Sequence, residues 1–131
     1  MVRYPFDVGS QYTRKDIYRI VGMPAETRGG NWETGYSRLG DDFFLFVNLG
    51  VPGRTGHQYR NRIDGHLLYW EAKNRTRIGQ TQIQRLLHPS GIVYIFCRTN
   101  NNNPFTFYGA GFPVSCTDTT PVGIVWRLDP P

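Results

Sequence analysis

Side chains able to recognise a nucleotide are concentrated in one window of this 131-residue chain, residues 53–73, GRTGHQYRNRIDGHLLYWEAK. Arg54, His57, Arg60 and Arg62 supply cations for phosphate, and Lys73, Arg75 and Arg77 continue the series. Gly53 and Gly56 let backbone amides come close to such an anion. Tyr59 and Trp70 offer flat apolar faces on which a base can stack, while Asn61 and Glu71 carry the amide and carboxylate that read a base's pairing edge. Upstream, Trp32 and Tyr36 stand among Gly29, Gly30 and Gly35, and Asn48 ends an apolar run. The expected base pocket is therefore Trp32, Tyr36, Asn48, Tyr59, Asn61, Trp70 and Glu71, with Phe96 as a further aromatic.

Charge supports that reading. The net charge of +5 lies between Arg54 and Arg85, where seven bases face two acids; eight bases and eight acids elsewhere cancel. A localised basic surface is the footprint expected for a polyanion. Catalytic signatures are sparse: no glycine-rich phosphate loop precedes a helix, and HExxH, CxxC and a nucleophile elbow are absent. One pattern resembles catalysis, Asp64 followed by Glu71-Ala72-Lys73, as in nucleases of the PD-(D/E)xK type, which hold a metal between an Asp and the Glu of an E-x-K strand. Asp64-Gly65, however, is also a turn signal. Cys97 and Cys116 are too few for a zinc site and read as buried free thiols, so neither metal nor cofactor is expected.

These residues must be positioned by a β-rich domain. Fifteen glycines, nine prolines and 15% aromatics, with short apolar runs between turn residues, predict an α+β, mostly β fold: a partly open barrel of five to seven mainly antiparallel strands with two short helices. At this length one domain is the default, here residues 1–131. Thr13 and Asp16 cap a helix over about 13–21, with Ile17, Ile20 and Val21 on its inner face and Gly22 and Pro24 ending it. A second helix, about 80–87, turns Ile83, Leu86 and Leu87 inward. Strands are expected at 43–50, 67–73, 92–98, 105–109 and 122–128, and a long loop between the first two. In LLYWEAK, alternation puts Leu67, Tyr69, Glu71 and Lys73 on one face and Leu68, Trp70 and Ala72 on the other. No apolar run approaches the ~20 residues of a membrane helix, and the N-terminus lacks a signal-peptide core, so a soluble cytoplasmic protein is expected.

The order YTRKDI, W-x-x-G-Y, FVNLG, GRTGHQYRN, LLYWEAKNRT, VYIFCR, PFTFYG and PVGIVWRL resembles, over nearly the whole chain, a domain of unknown function that closes many bacterial helicase-nuclease restriction proteins. Those domains are similar to SET-and-RING-associated (SRA) readers of PUA-like barrel fold, which flip a modified cytosine out of the duplex. The resemblance implies a non-catalytic specificity domain of a modification-dependent restriction system. Its partners would be double-stranded DNA carrying 5-methylcytosine or 5-hydroxymethylcytosine and a nuclease or helicase-nuclease in cis or trans, in a bacterial cytoplasm. The flipped base would lie near Tyr59 and Trp32, with the W-E-x-K strand lining the pocket. Two other readings compete: a pseudobarrel domain reading unmodified duplex through the major groove, and a metal nuclease built on Asp64, Glu71 and Lys73.

Overall fold

Two runs of the sequence, FFLFV and VYIFC, are apolar at every position because both of their faces are covered. The computed structural model describes residues 4–23, 35–49, 61–73, 75–100 and 102–128. In chain order its elements are β1 (Gln11–Tyr12), α1 (Arg14–Val21), β2 (Tyr36–Leu39), β3 (Asp42–Asn48), β4 (Arg62–Asp64) and β5 (Leu67–Glu71). They continue with α2 (Thr81–Leu87), β6 (Val93–Arg98), β7 (Phe105–Thr117) and β8 (Gly123–Leu128). The two apolar runs are β3 and β6, paired in parallel from Phe43–Val93 to Asn48–Arg98; every other pairing is antiparallel.

The strand order is β2-β3-β6-β7-β8-β5-β4, with β1 added on β7. Alternation along β3 and β6 divides the interior in two. Phe44, Phe46, Tyr94 and Phe96 join Phe6, Ile17, Tyr18, Phe105 and Phe107 under α1, while Phe43, Leu45, Val47, Val93, Ile95 and Cys97 join β5, β8 and α2 around Trp70 and Trp126. The first cluster is held by aromatic contacts, such as Phe44 stacked on Tyr94 at 4.9 Å.

The fold is thus α+β and mostly β, with the two short helices expected. Among the described residues the strands number eight rather than five to seven, and the sheet they form is not closed into a barrel. Three short strands, β1, β2 and β4, carry too few residues for a legible period-2 pattern; β4 falls inside the expected long loop. β7 runs to Thr117 although Gly109, Gly111 and Pro113 read as turn residues. Pro113 is accommodated at a bulge against β8, and a Cβ at Gly111 would meet Ile95 Cδ1 at 2.9 Å and Trp126 at 3.4 Å. Cys97 is buried as expected, which pushes its thiol pKa up; Cys116 is exposed, because the far end of β7 projects past β6 and pairs there with β8 alone.

Local chemistry at α1 follows the sequence closely. Thr13 Oγ1 accepts from Asp16 N at 3.1 Å and Asp16 Oδ2 accepts from Thr13 N at 2.9 Å, a complete capping box, and Gly22 ends the helix at φ 87°. The bond from the Thr13 backbone, foremost, lowers the Asp16 pKa. Among the described residues no helix is long and apolar enough to cross a membrane.

The start of the parallel pair is set by Asp42, whose Oδ1 accepts from Ile92 N at 2.8 Å. A Cβ on neighbouring Gly91 would collide with Asp41 O and Asp42 Oδ1. Gly91→Ala should therefore lower the urea midpoint by about 1–3 kcal/mol equivalent, the range for overpacking. Gly79→Ala, with nothing near its Cβ, should stay within about 0.5 kcal/mol of the parent.

Candidate functional site

Where β3 and β6 end, the first polar residues are Asn48 and Arg98, cross-strand partners in register. Arg98 Nε donates to Asn48 Oδ1 at 2.9 Å. Arginine can only donate, so this bond fixes which end of the amide is which: oxygen toward Arg98, Nδ2 at the other end. Asn61, just before β4, extends the arrangement across the sheet. Its Nδ2 donates to Asn48 O at 3.2 Å, and its Oδ1 accepts from Glu71 N at 2.9 Å. One carboxamide thereby ties the end of β3 to the end of β5, although three strands lie between them in sheet order.

The same seam is closed on its apolar side by Tyr36 of β2 against Trp70 of β5, edge to face at 5.5 Å and 72°. The two ends of the sheet therefore meet through side chains, leaving an open cleft of about 400 Å³ lined by Tyr36, Asn48, Asn61, Trp70, Glu71 and Lys73, among others. That volume lies in the range of small-ligand sites.

Lys73 is placed by the chain leaving β5. Ala72 N donates to Val122 O at 2.9 Å, Thr76 Oγ1 donates to Lys73 O at 2.7 Å, and Val122 N donates to Thr76 Oγ1 at 3.2 Å. The ammonium nitrogen stands 4.2 Å from the centre of the Tyr36 ring, a cation–π contact. Burial lowers the Lys73 pKa and raises that of Tyr36, since a poorly solvated site disfavours each charged form. Thr76 N closes a turn onto Lys73 O at 3.2 Å, in which Arg75 takes φ 66°, a left-handed conformation unusual for arginine.

Of the expected pocket residues, Tyr36, Asn48, Asn61, Trp70 and Glu71 come together at this cleft. Trp70 and Tyr36 are only 4% and 5% exposed, so they build the wall and offer little open ring face. Tyr36, set among glycines in the sequence, begins β2. Phe96, fully buried under α1, belongs to the core. Among the expected phosphate ligands, Lys73 lines the cleft, Arg75 and Arg77 are exposed, and exposed Arg62 lies over the Tyr69 ring at 3.9 Å. Trp32, Arg54, His57, Tyr59 and Arg60 lie outside the described residues. Alternation along β5 is as read: Leu68, Trp70 and Ala72 are buried, and Leu67, Tyr69, Glu71 and Lys73 half-buried.

The metal-nuclease triad does not assemble. Asp64 ends β4 opposite Leu67, and Gly65 turns the hairpin at φ 61°. Glu71 is four residues further along β5, about 13 Å at the usual strand rise. A shared cation must sit about 2–2.6 Å from an oxygen of each. Among the described residues no group of three His, Cys, Asp or Glu could hold a metal. Arg14 and Arg98, both near the cleft, were not anticipated; the one available signal was an arginine directly following the apolar run VYIFC.

Fold and site define a small mixed-sheet α+β domain with a polar cleft at an unclosed seam. The family model described as "Domain of unknown function (DUF3427)" matches residues 6–130, and the chain belongs to that family. No curated protein matches the chain.

If Asn61 is the clamp of the seam, Asn61→Ala should lower stability by about 1–3 kcal/mol, because it strands Asn48 O and Glu71 N. Asn61→Asp keeps the acceptor for Glu71 N but sets a carboxylate oxygen against Asn48 O, acceptor facing acceptor, and should lose at least as much. Urea denaturation followed by tryptophan fluorescence measures both.

Proposed function

We propose that this chain is a non-catalytic DNA-binding specificity domain that receives a flipped-out base, cytosine modified at carbon 5, in the cleft between β2, β3 and β5. The observation that carries the proposal is the convergence of Asn48, Asn61, Glu71 and Lys73 on one aromatic-walled cleft large enough for a nucleobase. Cytosine presents an amino donor beside two acceptors. The Glu71 carboxylate suits the amino group, and Asn48 Nδ2, oriented by Arg98, with the Lys73 ammonium suits the acceptors. Trp32 and Tyr59 are assigned the stacking role, since Tyr36 and Trp70 are committed to the wall. Arg62, Arg75 and Arg77, with Arg54, His57 and Arg60, hold the backbone.

The sequence resemblance to domains similar to SRA and PUA-like readers supports the same reading, in which the domain would act in a bacterial, cytoplasmic, modification-dependent restriction system with a nuclease or helicase-nuclease partner. Flipping costs a few kcal/mol of stacking and pairing that the pocket must return. Burial of a methyl group returns only about 0.8 kcal/mol. Strong preference therefore requires polar readout of the modification or clashes against the unmodified base.

A competition titration at fixed salt tests the proposal, with one duplex carrying cytosine, 5-methylcytosine or 5-hydroxymethylcytosine at a single position. The expected outcome is at least about tenfold preference for one modified duplex, equivalent to about 1.4 kcal/mol. That preference should fall in Asn48→Ala, Trp32→Ala and Tyr59→Ala. Equal affinity for all three duplexes, unchanged in the variants, would instead indicate groove readout of unmodified sequence or purely electrostatic binding.

Arg75 separates binding from folding. Glycine tolerates φ 66° without strain, so Arg75→Gly should leave stability unchanged or raise it by up to about 1 kcal/mol. The same variant should bind DNA more weakly on every sequence, with a salt slope smaller by about one. Thermal unfolding and a salt-dependent titration read the two effects independently.

A further inference from the structure

The core occupies only one side of β7, β8, β5 and β4, four neighbours in sheet order. Leu68, Trp70, Ile124, Trp126 and Leu128 belong to that core and are buried. Alternation therefore puts Leu67 and Tyr69 of β5, with Val125 and Arg127 of β8, on the outer side, and register adds the rest. One row across the sheet is Arg62, Tyr69, Val125 and Ser115; the next is Asp64, Leu67, Arg127 and Phe112. None of these residues lines the cleft.

Each row carries one arginine lying on one aromatic ring. Arg62 Cζ is 3.9 Å from the centre of the Tyr69 ring, and Arg127 Cζ is 4.9 Å from that of Phe112. Neither guanidinium pairs with a carboxylate among the described residues. The acid of these rows, Asp64, is separated from Arg127 by Leu67, about 10 Å at the usual strand spacing. Phe112 is 42% exposed, and at its level β7 has already parted from β6, with which it pairs only as far as Ala110.

Size and chemistry decide what such a face can receive. Three inter-strand gaps of about 4.8 Å by five residues at about 3.4 Å give on the order of 240 Å². A stable protein interface takes about 800 Å² per partner, around a core depleted of charge. This face is smaller, and both of its aromatic rings lie under arginines. Flat ring and guanidinium surfaces are what unpaired bases stack on, with each arginine's charge available to the adjoining phosphate. Tyr69 and Phe112 are two strands and one row apart, about 12 Å between backbones. Bases along a duplex strand are only about 3.4 Å apart, so a single strand with splayed bases can occupy both positions and a duplex cannot.

We infer that the outer face of β7, β8, β5 and β4 is a stacking platform for single-stranded nucleic acid, with Tyr69 under Arg62 and Phe112 under Arg127 as its two base positions. The platform is separate from the base-reading cleft and shares only Arg62 with the duplex contacts proposed above. DNA and RNA offer the same stacking chemistry, and the test separates them.

The 131-residue chain is titrated at fixed salt, by fluorescence anisotropy, with end-labelled strands of deoxythymidine, of uridine, and of abasic deoxyribose phosphate of equal charge. A base-bearing strand should bind at least about tenfold more tightly than the abasic one, and whichever of the two binds more tightly identifies the source. Phe112→Ala and Tyr69→Leu should each weaken that binding about 5- to 150-fold, the worth of one stacked base. Phe112→Leu, which keeps apolar bulk without the ring at an exposed position, should weaken it nearly as far. Val8→Ala, at an exposed apolar residue outside the face, should leave it unchanged.

Affinity for base-bearing strands no greater than for the abasic strand overturns the platform, as does single-strand binding that the Phe112 and Tyr69 variants leave intact. Self-association of the parent chain that Phe112→Ala abolishes, read by sedimentation in the absence of single-strand binding, makes the face a protein contact and overturns it too. A lack of preference among the modified duplexes removes the base-reading function alone, because the single-strand titration contains no duplex.

Discussion

The parallel pairing of β3 with β6 is the constraint on which the rest of the structure depends. A strand buried on both faces must be apolar at successive positions, and its ladder partner must be as well. Phe43 to Val47 and Val93 to Cys97 meet that requirement, so the pair divides the interior into an aromatic core under α1 and a larger core around Trp70 and Trp126. Both runs stop being apolar at the same level. Asn48 and Arg98 are consequently adjacent, at a place where polar groups can reach solvent or a ligand.

From that level the cleft follows because the sheet curls without closing. In a closed barrel the backbone groups at the seam would pair with one another; here Asn61 supplies the partners for Asn48 O and Glu71 N, and Tyr36 meets Trp70 on the apolar side. Side-chain closure satisfies the polar groups at the seam while leaving about 400 Å³ open beside them. Asn61, selected from the sequence for its chemistry, engages its amide in holding the wall, whereas Asn48 is oriented by Arg98 with its nitrogen end undirected by that bond. Two asparagines that look alike in the sequence are thus engaged differently, Asn61 through both ends of its amide and Asn48 through its oxygen end.

Among the described residues the basic third of the chain provides exposed Arg62, Arg75 and Arg77 and the cleft-lining Lys73, while Lys73, Arg98 and Arg14 each lie over an aromatic ring. Counting charge along the sequence does not single out Arg14 and Arg98, which are 84 residues apart and each lie in a segment of balanced charge.

What the sequence determined by itself was whatever depends on near neighbours. The capping box of Thr13 and Asp16, the inward stripe of α2, the Asp64-Gly65 hairpin, the alternation along β5 and the apolar runs of β3 and β6 all follow from spacings of a few residues. The mostly β class and a cluster of residues within 36–73 that line one cleft were legible for the same reason. Tertiary structure alone decided the eighth strand, the length of β7, the exposure of Cys116 and the open seam. Two- to four-residue strands carry no periodic signal, and Gly111 and Pro113 read as turn residues until Ile95, Trp126 and a bulge supply their context. It also decided that Asp64 and Glu71 stand apart while Asn48 and Arg98 come together, because distance in space is set by register and sheet order, which no local pattern encodes.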